Sequence, residues 1–92
     1  NRISLYVAQN GKCAITKKPL AYEDIHCHHI TPLELGGTDE YRNLVIVHKD
    51  VHLLFHATNA ELIATLKAKL NLDQRQLDRV NKFRLKAGRA KI

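Results

Sequence analysis

The sequence predicts an α+β fold: a short antiparallel strand pair, a helix ahead of it, and helices behind it. Three observations predict this. Two strand-like runs, residues 25–30 and 44–47, flank a stretch that holds Pro32 and Gly36-Gly37, and proline and paired glycines end strands and mark loops. Beyond residue 49, apolar residues recur at helical spacing. Near the C-terminus, Asp73 with Gln76 three residues on, flanked by Leu72 and Leu77, spells a capping box with a hydrophobic staple.

Taken in order, residues 2–10 read as a short helix with Ile3, Leu5, Tyr6 and Val7 apolar, and Gly11 ends it. Residues 13–20 are irregular, with a turn at Lys18-Pro19. The first strand stops before Thr31-Pro32. Thr38 or Asp39 is placed to cap a single helical turn through Arg42. Leu44, Val45, Ile46 and Val47 make a β-branched second strand. A helix over 49–57 puts Val51, Leu54 and Phe55 on one face and His52 and His56 on another. The next helix spans 60–70, with Leu62, Ile63, Leu66 and Leu70 in register, and the last runs from Asp73 to near Gly88. We divide the chain into a core, residues 1–57, and a basic helical extension, residues 58–92, packed on it.

With 92 residues, the chain makes one small domain with a thin core. Hydrophobic residues are 45% and charged residues 26%, a globular composition rather than a disordered one. No apolar run reaches the roughly 18 residues of a membrane span, and the opening residues lack the core of a signal peptide. The absence of methionine points to a domain cut from a longer protein. Cys13 and Cys27 are too few for a disulfide framework; two free thiols in a reduced, cytoplasmic or organellar compartment are expected.

The formal charge of +6 is lopsided. Residues 1–57 balance six bases against six acids, while residues 58–92 hold nine bases and three acids. On the last helix Arg75, Arg79, Lys82 and Lys86 follow i, i+4, i+7, i+11 and share a stripe opposite Leu77, Val80, Phe83 and Ala87. Such a row is either a solvated helix face or a set of phosphate contacts, and its ordering favours the second.

All six histidines (His26, His28, His29, His48, His52, His56) lie between positions 26 and 56. Six imidazoles in one short segment ask for a metal or for proton chemistry, since each needs polar partners if buried. His52 and His56 are one helical turn apart and suit one ion. Strand alternation sends His28 and His29 to opposite sides, so one serves the metal and the other faces a groove as a base.

His28-His29-Ile30-Thr31-Pro32, Gly36-Gly37, Asn43-Leu44, and Val51-His52 through His56 strongly resemble the HNH endonucleases, the ββα-metal (His-Me finger) nucleases. The flanks Asn1-Arg2-Ile3-Ser4-Leu5, Cys13-Ala14-Ile15-Thr16, Thr38 through Val45 and Leu72-Asp73 through Ala87-Gly88 resemble the C-terminal domain of group II intron reverse transcriptase/maturase proteins. The resemblance implies His29 as general base, His28, His52 and His56 as ligands of one divalent metal, and Asn43 as the brace that orients the base. It implies hydrolysis of double-stranded DNA to 5′-phosphate and 3′-hydroxyl ends, with Mg²⁺ or Mn²⁺ as the ion and Zn²⁺ or Ni²⁺ as in vitro substitutes. In an intron protein the nick primes reverse transcription, and intron RNA becomes a partner through the parent protein. A non-catalytic, metal-stabilised DNA-binding module and a freestanding phage or homing nuclease are the alternatives. An imidazole base is largely neutral at cellular pH, its ordinary pKa being about 6.5.

Two departures from the family stand out. The two Cys-x-x-Cys pairs of many members read here as Cys13 with Thr16 and His48 with Val51, so no structural zinc is expected; Val51 and Ile15 replace it by packing, or Cys27 and His26 restore ligands. His28 replaces the Asp of many relatives, which shifts metal preference more than mechanism.

Overall fold

The computed structural model describes residues 2–92; Asn1 lies outside them. Helix α1 (Arg2–Ala8) buries Leu5 against the core, and the chain reverses through Asn10 and Gly11, both at positive φ. A Cβ at Gly11 would meet the Tyr6 hydroxyl at 2.9 Å, so the helix terminator doubles as a close approach. Residues 12–19 make a tight excursion closed by a Lys12–Pro19 bridge. It carries Cys13 and Ile15 into the interior.

Strands β1 (Ile25–His29) and β2 (Leu44–His48) pair antiparallel, with Ile25 opposite His48, His28 opposite Val45 and His29 opposite Leu44. The long connection between them contains two single 3₁₀ turns, Leu33–Leu35 and Tyr41–Asn43. The second turn is not capped as the sequence suggests. Its N-cap is Glu40, with no side-chain cap bond. Thr38 Oγ1 accepts from the Glu40 amide instead, and the Asp39 carboxylate is engaged by His29. The loop folds tightly back on itself at Gly37, where an added Cβ would sit 1.8 Å from the Thr31 carbonyl oxygen. No other residue fits there without moving backbone.

β2 runs directly into α2 (Lys49–His56), with the His48 side chain as N-cap accepting from the Asp50 amide at 3.0 Å. Val51, Leu54 and Phe55 are fully buried, and they join Ile15, Ile46, Val47, Leu66 and Val80 in one core. Helix α3 (Ala60–Leu70) is capped by Asn59 and ends at Asn71 in the left-handed region. Helix α4 (Gln74–Lys86) carries the complete Asp73–Gln76 capping box.

The packed side of α4 is less apolar than its pattern implies. Asn81 and Arg84 are buried there beside Val80. Arg84 donates through Nη1 to the carbonyls of Leu54 (2.6 Å) and Ala57 (2.9 Å) and through Nε to Ala90 (2.8 Å). It thereby satisfies carbonyls at the C-terminal end of α2 that no helical amide reaches. Asn81 exchanges two hydrogen bonds with the backbone of Ile92 and draws the terminal segment along α4.

Candidate metal centre and active site

Alternation along β1 turns His26 and His28 to the side that meets α2. α2 in turn presents His52 and His56 one turn apart. One ring nitrogen from each of His28, His52 and His56 falls within 4.8 Å of the others, and the three ring centroids are 5.1–5.2 Å apart. His28 is the buried member, 1% exposed and tilted against Phe55 at 4.6 Å. Its Nε2 has no hydrogen-bond partner among the described residues.

A buried, orphaned nitrogen costs free energy unless something supplies a partner. Burial, reinforced by repulsion from His52 and His56, pushes His28 down to about 3. His52 falls to about 4 from the same causes, with His26 adding to His56. His56 is also lowered, chiefly by burial and by the charge of Arg89, against an upward pull from Glu34. All three rings are therefore neutral at neutral pH and carry the lone pairs a metal ligand needs. Three neutral imidazole nitrogens around one point, one of them otherwise unsatisfied, fit a divalent cation.

His29 opens elsewhere. Its Nε2 is 2.7 Å from Asp39 Oδ1, and its ring shares a cleft of about 200 Å³ with Pro32, Leu33, Glu34 and His56. The adjacent histidines of β1 thus lie in different surroundings, and His56 belongs both to the three-histidine cluster and to the wall of His29's cleft. Asn43 does not touch His29. Its Oδ1 accepts from the Thr31 amide at 2.9 Å, and its Nδ2 donates to the carbonyls of Thr31 (3.0 Å) and Thr38 (2.8 Å). Asn43 ties both ends of the loop together and so fixes Asp39, the next residue after Thr38. The link from Asn43 to His29 runs through the Asp39 carboxylate, a partner that sequence reasoning missed.

The family model of the HNH endonucleases matches residues 11–57, just over half of the chain. The chain belongs to the HNH endonuclease family. No curated protein and no solved structure matches it.

A second group of polar residues gathers around His48 of this HNH domain, with Lys69 joining from beyond the matched span. The buried Cys13 Sγ accepts from the His48 amide at 3.4 Å. The His48 ring lies between Asp24 (3.5 Å) and Asp50 (3.7 Å), which pair in turn with Lys49 and Lys69. Ile15 and Val51 are fully buried in the same core. His26 and Cys27 do not join a metal-capable group there; His26 lies against His52, and Cys27 is a half-buried free thiol.

Outside the matched span, the cation row of α4 is not uniform. Arg75, Lys82 and Lys86 are exposed, whereas Arg79 is half-buried and donates from Nη1 to the Ala14 carbonyl at 2.8 Å. The helix packs close to the 13–16 turn, and the nearest cation is drawn into satisfying its backbone. The partners of Asp39, Arg84 and His26 had no local sequence signal, although Asp39 read as a cap and His26 as one of six clustered histidines. Each acquires its partner from an element distant in the chain or across a loop.

Proposed function

We propose that this HNH domain is a metal-dependent endonuclease that hydrolyses phosphodiester bonds in double-stranded DNA, leaving 5′-phosphate and 3′-hydroxyl ends. The observation that carries the reading is the cleft shared by His29 and His56. It puts a carboxylate-held imidazole next to three neutral imidazoles, one with an unsatisfied buried nitrogen.

Asp39 accepts the Nε2–H of His29, which leaves the Nδ1 lone pair to take a proton from water, the general-base role. The resulting hydroxide attacks phosphorus as the bond to the 3′ oxygen breaks, and that oxygen takes a proton from solvent to become the 3′-hydroxyl. His28, His52 and His56 would hold the ion, Asn43 keeps the loop in register, and Gly37 lets that loop fold tightly enough for Asp39 to reach His29. The chemistry a divalent cation supplies when bound there is stabilisation of charge on the phosphoryl and departing 3′ oxygens. An all-nitrogen donor set favours Mn²⁺, Ni²⁺ or Zn²⁺ over Mg²⁺ at equal concentration. Arg75, Lys82 and Lys86 supply phosphate contacts from α4, with Arg79 anchoring the helix to the core. For setting, we read the chain as the DNA-cleaving part of a group II intron reverse transcriptase/maturase, on the resemblance of its flanks alone.

The test is nicking of supercoiled plasmid with Mn²⁺ or Mg²⁺, comparing wild type, His29→Ala, and wild type with chelator. Metal-dependent nicking with 5′-phosphate ends, lost in a folded His29→Ala protein, supports the reading. Wild type that never cuts while metal still raises its melting temperature transfers the histidines to a non-catalytic, metal-stabilised DNA-binding module.

A further inference from the structure

His26 is an exposed residue of β1 that lies outside the three-histidine cluster. Its Nδ1 nevertheless sits 2.9 Å from Nδ1 of His52, with the rings edge-on at 72° and 5.2 Å between centroids. Two imidazole nitrogens at that separation share one proton, so one ring donates and the other accepts. The choice decides what His52 can do. If His52 accepts, the proton of its neutral ring sits on Nε2, and neither nitrogen is open to a cation. If His52 donates, Nε2 keeps its lone pair. Because His26 occupies Nδ1, Nε2 is the nitrogen His52 has left for the cluster.

We propose that His26 is a positioning residue of the metal centre: its Nδ1 accepts the Nδ1–H of His52, fixing the tautomer and orientation that present His52 Nε2 to the ion. The inference rests on the reading of His28, His52 and His56 as ligands. Ligating imidazoles generally donate their second N–H to an acceptor, and loss of that acceptor weakens metal binding about 10–100-fold. Here the acceptor is an imidazole on the neighbouring strand, two residues before the buried ligand His28. The same strand therefore supplies one ligand and aims another. The bond also orders a side chain that is exposed.

The experiment measures Zn²⁺ binding by calorimetry for wild type, His26→Ala and His26→Asn, and reads the ring nitrogens of His52 by NMR in the zinc-loaded protein. Zinc is diamagnetic, and asparagine places an acceptor oxygen near the position of Nδ1. The expected result is a 10–100-fold weaker affinity in His26→Ala and recovery to within a few-fold of wild type in His26→Asn. His52 should carry its proton on Nδ1 and its zinc on Nε2. Undiminished affinity in His26→Ala, failure of His26→Asn to recover, or coordination through His52 Nδ1 overturns the positioning role and leaves the ligand reading standing. Wild type that binds no zinc sinks both. Because His26 is exposed, its truncation leaves the core intact, and thermal melts of the metal-free variants check this directly.

Discussion

Histidine stands at both ends of α2, and the two ends are finished differently. At the start of α2, His48 caps the helix and stands between Asp24 and Asp50, with Lys49 and Lys69 closing the charges. At its end, His52 and His56 converge with His28, whose buried Nε2 has no partner among the described residues. The first group uses its polar atoms to hold the fold; the second leaves a lone pair aimed at something from outside. The difference shows that histidine count alone does not locate a site. What locates it is unsatisfied hydrogen-bonding capacity in a place too dry to leave it unsatisfied.

The largest effect falls on chemistry. His29→Ala is expected to lower cleavage about 10²–10⁴-fold, the usual contribution of a positioned base, with metal affinity unchanged because His29 is not a ligand. Single-turnover cleavage beside a metal titration checks both halves. A matching fall in metal affinity would place His29 in the cluster and erase its separate role.

Acid is expected to give the largest change in stability. His28 at about 3 and His52 at about 4 lie below the ordinary histidine value of 6.5. The folded state therefore favours the neutral rings, and the unfolded chain binds their protons first. Stability is complete above about pH 6.5 and is lost progressively as pH falls towards those values. Urea melts of metal-free protein from pH 7 to pH 4 measure it, and His28→Leu should flatten the acid limb. An acid limb unaltered by that substitution would assign the loss to other groups.

Two substitutions of one residue type should then move stability in opposite directions. His28→Leu removes the orphaned nitrogen, and is expected to raise metal-free stability by about 1–3 kcal/mol while abolishing the response to metal. His48→Ala removes the N-cap of α2, and should cost about 1 kcal/mol with that response intact. Denaturant midpoints with and without metal read both. The same sign for both would dissolve the distinction between the two groups.

How much of this was legible in the sequence follows from where each partner lies. The span of α3 and the capping box of α4 were readable because propensity, periodicity and caps are local. His52 and His56 were readable from the four-residue helical step; strand alternation let one of His28 and His29 join them, and the family resemblance named His28. Arg84 was not: a cation in a helix reads as solvent-facing until the open carbonyls of Leu54 and Ala57 are brought against it. The bond of Arg79 was hidden for the same reason, the Ala14 carbonyl being 65 residues away. Thr38 and Asp39 looked like caps because cap chemistry and imidazole binding use the same oxygens. Only the folded loop shows that His29 takes Asp39.

The smallest effect is the one on DNA affinity. Replacing Arg75, Lys82 and Lys86 with Gln should weaken binding and reduce the salt slope by about 2–3, whereas Arg79→Gln should act mainly on stability. Filter binding across salt concentrations separates them; an unchanged slope in the triple variant would remove α4 from the DNA interface.

The measurement that bears most directly on the central claim is calorimetric titration of Zn²⁺ into wild type, His56→Ala and His48→Ala. Zinc is the strictest choice, because thiol and imidazole both bind it and Cys13 lies beside His48. The account predicts one ion per chain in wild type, its loss in His56→Ala and its retention in His48→Ala. Two ions per chain, or binding that survives in His56→Ala and disappears in His48→Ala, would contradict it.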